Sequence, residues 1–138
     1  MRRFLATVLA VGVTAGCSSG GTTVSSGGTT VPAVCSSTDK LQASMAQLRD
    51  VQVDQNGLGA LQASLASVKS DLQHVVDDAT TQYSKQVDQL QAGFDGVQAA
   101  AGAARATPTA DTLTAVVASI RALGTDVSTF AHDIASTC

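Results

Sequence analysis

An all-α antiparallel helical bundle is the fold that this 138-residue chain predicts. Three observations predict it. From Leu41 onward, apolar residues recur at three- and four-residue steps, the period of one helix face. Asn56-Gly57 and Thr107-Pro108-Thr109 punctuate that pattern into separate runs. Cys35 and Cys138 stand at its two ends, an even pair suited to closing a bundle as a disulfide.

The first run carries Leu41, Met45, Leu48 and Val51. It reads as a helix from Ser36, with Asp39 early, where a negative charge suits the helix dipole. Asn56-Gly57 reads as its stop, since both residues accept a left-handed turn. The second run is longer. Leu58, Leu61, Leu65, Val68, Leu72 and Val75 step 3-4-3-4-3, and Ala79, Tyr83 and Val87 follow at four-residue steps. Leu90, Phe94, Val97 and Ala101 then resume the mixed pattern. Such extra four-residue steps are a stutter, which unwinds a coiled coil locally without breaking its helices. The third run, from Leu113 through Val116, Ile120, Leu123, Val127 and Phe130 to Ile134, steps 3-4-3-4-3-4, with either Thr107 or Thr109 as its cap and Pro108 in its first turn.

Two arrangements fit. In one, three helices pack with a long continuous central helix, against which the outer two fold back. In the other, the central run bends between Asp77 and Ser84 and makes a four-helix up-down-up-down bundle. The absence of Gly and Pro between Gly59 and Gly93 favours the continuous helix; compactness favours four. At about 1.5 Å per residue, both bring Cys35 and Cys138 together. Closing so long a loop is worth about 4 to 5 kcal/mol in a chain-entropy treatment. The staple matters because the core is thin: Trp is absent, and Tyr83, Phe94 and Phe130 are the aromatics of the periodic region.

Residues 1–16 read as a signal peptide. Arg2 and Arg3 precede a short apolar core from Phe4 to Val13, and Ala15-Gly16 supplies the small residues a cleavage enzyme needs. The apolar core is about 10 residues, against the roughly 20 needed to span a bilayer. Cys17 follows the small pair directly, and Ser18-Ser19-Gly20 comes next. In these residues the chain resembles bacterial lipoproteins, especially the small ones of high-GC actinobacteria. The resemblance covers residues 1 to 20 and departs at Thr14, where the pattern prefers Leu, Val or Ile. It implies that Cys17 is lipidated and becomes the first mature residue, anchored stably by two or more acyl chains. The alternative is a plain secretory signal leaving a free cysteine.

Residues 17–34 then form a lipidated cysteine and linker. SSGGTTV occupies 18–24 and again 25–31, before Pro32-Ala33-Val34. Gly and Ser at this density make a leash with an r.m.s. span of roughly 20 to 25 Å. The bundle domain is expected over residues 35–138.

Cleavage before Cys17 leaves six basic and eleven acidic residues, a net charge of −5. All the acids are Asp, and there are eleven Gln. The negative balance argues against nucleic acid as a partner. His74 and Asp78, four apart, share a helix face, but one pair is too few ligands for zinc. His132 and Asp133 are adjacent and point apart. No nucleophile elbow and no phosphate loop appears, so neither a catalytic residue nor a cofactor or metal is expected. Ala92, Gly96, Ala100 and Ala104, each four apart, form a small-residue stripe that would suit tight packing against the last helix or a partner face. The expectation is a non-enzymatic lipoprotein of the cell envelope, held to the membrane by its lipid and interacting with or supporting an envelope protein. The alternative is a carrier holding a lipid or other apolar ligand between helices.

Overall fold

The computed structural model describes residues 31–54, 56–79 and 81–138. The expected signal peptide, Cys17 and the repeated tract up to Thr30 lie outside the described residues. Four α-helices follow in order: α1 (Ala33–Asp50), α2 (Leu58–Asp78), α3 (Ser84–Ala106) and α4 (Ala110–Ile134). A 3-10 turn over Thr81–Tyr83 leads into α3. The bundle is therefore all-α, and of the two expected arrangements the four-helix one is present.

The continuous central helix, favoured for want of a breaker, does not form. Ala79 is extended, with φ −71° and ψ 134°. Local chemistry explains a break without Gly or Pro. Asp77 and Asp78 fall in the last turn of α2, where the helix dipole disfavours negative charge. On the far side, Tyr83 is only 5% exposed. Its hydroxyl bonds Thr137 Oγ1 at 2.5 Å, and its ring meets Phe130 edge-on at 6.0 Å. The run of four-residue steps at Ala79, Tyr83 and Val87 thus marks a corner, not a stutter.

Helix ends also differ in detail from the sequence reading. Pro32 caps α1, and the helix starts at Ala33, so Asp39 falls beyond the first turn. Gly57 has φ −80° and is not left-handed. Its need for glycine is steric: a Cβ there would lie 1.9 Å from the Gln52 carbonyl oxygen. Asp54 folds the loop, accepting from the amides of Asn56 (2.9 Å) and Gly57 (2.6 Å). Thr109 caps α4 in a reciprocal box. Its hydroxyl accepts from the Thr112 amide, while Thr112 Oγ1 accepts from the Thr109 amide at 3.0 Å. Pro108 therefore precedes the cap instead of occupying the first turn, where Asp111 does sit.

The helices pack in cyclic order. The α1–α2 and α3–α4 hairpins are close, and the α1–α4 and α2–α3 seams are looser. One stripe from each helix fills the centre, including Leu41 and Leu48, Leu61 and Val68, Leu90 and Val97, and Leu123 and Phe130. The core face of α1 also carries Ser37, Thr38 and Ser44. Their hydroxyls donate to carbonyls three or four residues back in the same helix, which satisfies them without a partner from elsewhere. Among the described residues, no buried side-chain nitrogen or oxygen lacks a hydrogen bond. At Gly93, α4 comes close to α3: a Cβ there would meet Leu123 Cδ1 and Asp126 Oδ2 at 3.2 Å.

Candidate functional site: the disulfide end and the distal clefts

Up-down-up-down order gathers the start of α1, the end of α2, the start of α3 and the end of α4 at one end of the bundle. Cys35 and Cys138 are bonded there, with their Cα atoms 5.8 Å apart. Cys35 is buried in the first turn of α1, and Cys138 is exposed just past α4. The Cys138 and Thr137 amides both bond the Ile134 carbonyl, at 3.0 and 2.8 Å. Together with the Tyr83–Thr137 bond, these contacts fix the segment that carries the bridge. Cys17, the expected lipidation site, lies outside the described residues.

The other candidates separate from one another. His74 and Asp78 are exposed on α2, and His132 and Asp133 are exposed at the end of α4. Among the described residues, no group of three or more His, Cys, Asp or Glu is placed to hold a metal. The small-residue stripe does not pack as a unit. Ala104 is buried and Ala100 half-buried, but Ala92 and Gly96 are exposed, and a Cβ on Gly96 would meet nothing within 4 Å. The reason is geometric: a strict four-residue spacing drifts roughly 40° per step around a 3.6-residue helix. The mixed spacing of Leu90, Phe94, Val97, Ala101 and Ala104 stays on the core face.

Each of the looser seams carries one cleft larger than 300 Å³. One, of about 340 Å³, opens between α2 and α3, floored by Leu58, Leu61, Leu65 and Ala101. Gln62 and Gln98 line it, with Lys69 and Arg105 at its sides. The other, of about 410 Å³, opens between α1 and α4 and is lined by Leu48, Val51, Val53, Val117 and Ile120. Arg49 and Arg121 complete its lining. The second cleft has a simple origin. Helix α1 has 18 residues and α4 has 25, so α1 stops about 10 Å short of α4's beginning. The extended chain at Val51 and Val53 only partly covers the difference.

Gly124 leaves room for Arg49 at this cleft. That glycine is buried in α4, and a Cβ on it would lie 2.0 Å from Arg49 Nη2 and 2.7 Å from Cζ, so the guanidinium rests on bare backbone. Sequence reasoning missed this contact. Its signal was Gly124 itself, the one glycine inside the regular last run. Among the described residues, no helix is long and apolar enough to cross a membrane. Comparison of the chain with protein-family models, with curated proteins and with solved structures finds no match.

Proposed function

We propose that this chain is a membrane-anchored lipoprotein of the cell envelope, whose bundle is a non-catalytic interaction or structural domain. The observation that carries the reading is the Cys35–Cys138 bridge. A disulfide that closes a whole small domain belongs to an oxidising, extracytoplasmic compartment. The lipobox-like run ending at Cys17 and the repeated SSGGTTV tract point the same way. Export, anchor, leash and stapled domain then form one consistent order along the chain.

An interaction role over that of a carrier is supported by the interior. Core positions on all four helices are occupied by the chain's own Leu, Val, Ile and Phe side chains. A carrier needs an enclosed apolar space between its helices. The clefts of this bundle instead open outward at the seams, as suits recognition of another surface.

Expression in an actinobacterial host tests the anchor. The wild-type chain is expected in the membrane fraction and released by detergent, while Cys17→Ala is expected in the soluble extracytoplasmic fraction. Identical partitioning of the two would remove the lipid anchor from the account.

A further inference from the structure

The α1–α4 cleft combines three properties that the α2–α3 cleft does not share. Apart from its two arginines it is lined by aliphatic side chains alone, with no glutamine among them. Its cations are both guanidiniums, which pair with carboxylates in a fixed fork. Both stand at the same stretch of α4. Arg49 rests on Gly124, and Arg121 stands three residues earlier on the same helix, about one turn away. Among the described residues, neither guanidinium has a hydrogen bond or an ion pair. In a domain with an excess of aspartate, the lining of this apolar trough holds two arginines and no aspartate.

From this we infer that the α1–α4 cleft docks an acidic segment of a partner protein. An aliphatic side chain of the segment enters the trough, and a neighbouring Asp or Glu carboxylate pairs with Arg49 and Arg121. Charge complementarity selects the carboxylate. The open shape selects a protein segment over a small amphiphile, because small-molecule sites bury most of their ligand's surface and this cleft lies open along the bundle side. The partner's own surface closes what the cleft leaves uncovered. The inference rests on the reading of the bundle as an interaction domain; it does not depend on the anchor.

Gly124 provides the sharpest test. Gly124→Ala places a methyl where the Arg49 guanidinium lies, and the flexible end of that side chain swings away while the helix is kept. Selection of a random 12-residue peptide display library on the full chain, in detergent, is expected to enrich Asp or Glu next to Leu, Ile or Val. The enriched peptides should bind Arg49→Gln/Arg121→Gln about tenfold more weakly or worse, and Gly124→Ala severalfold more weakly, with thermal midpoints no lower than wild type. Peptides that bind the double variant as well as wild type would overturn the cleft assignment and leave the interaction reading standing. Failure to enrich any peptide would overturn both. Saturable one-to-one binding of dodecanoate, lost in the double variant and with no peptide enriched, would also overturn the inference, by making the cleft a site for a small amphiphile.

Discussion

Opening the Cys35–Cys138 bridge should cost this bundle about as much as truncating one of its large core side chains. The two cysteines are 103 residues apart in sequence. Tying ends that distant removes chain entropy from the unfolded state worth about 4.7 kcal/mol at 25 °C, and losing a native bridge from a small exported domain typically costs about 2 to 5 kcal/mol. For a domain near 100 residues, each kcal/mol corresponds to at least about 4 °C in Tm, so a fall of roughly 10 to 20 °C is expected. The best variant is Cys138→Ser. Cys138 is exposed, so the new hydroxyl meets water, whereas Cys35 is 6% exposed and a serine there would bury a hydroxyl. Urea denaturation followed by circular dichroism should give the same lowered midpoint for Cys138→Ser and for the wild type in reductant. An unchanged midpoint in both would refute the reasoning that the bridge supports a thin core.

Other perturbations probe separate links. Tyr83→Phe removes the hydroxyl that bonds Thr137 but keeps the ring on Phe130, so a loss of about 1 kcal/mol is expected by chemical denaturation. Thr109→Ala breaks the cap of α4 and should cost about 1 kcal/mol, read in the same way. Gly96→Ala and Gly93→Ala form a matched pair on α3. The first adds a methyl in open space and should gain up to about 1 kcal/mol of helix propensity. The second drives its methyl against Leu123 and Asp126 and should lose that gain to overpacking. Equal melting shifts for the two would contradict the close approach of α3 and α4.

Much of this architecture was legible in the sequence because it rests on periodicity. The step pattern of Leu113 to Ile134 marks α4, and the residues it selects from Val116 onward are buried. The Cys35–Cys138 pairing followed from setting Cys17 aside as the expected lipidation site, which leaves one pair of the three cysteines, and from helix lengths that bring both ends together. The corner after α2 was legible only as one of two alternatives, a bend between Asp77 and Ser84. It is made by weak local signals, two aspartates at a helix end, together with a tertiary contact between Tyr83 and the segment after α4 that only the folded chain supplies. Gly57 taught a related lesson: its sequence neighbour suggested a left-handed turn, but the constraint is crowding by Gln52. The α1–α4 cleft was invisible because it comes from a difference in helix length and from one contact between distant residues, Arg49 on Gly124. Neither leaves a periodic trace.

The central claim is that an acyl anchor on Cys17 holds an oxidised helical domain outside the cytoplasm. Intact-mass spectrometry of the chain, extracted from the envelope of an actinobacterial host under non-reducing conditions, tests it most directly. The account predicts a mass that starts at Cys17, carries two or three acyl chains, and lacks the two hydrogens lost on forming Cys35–Cys138. A mass that begins elsewhere, or a Cys17 without acyl chains, would contradict it.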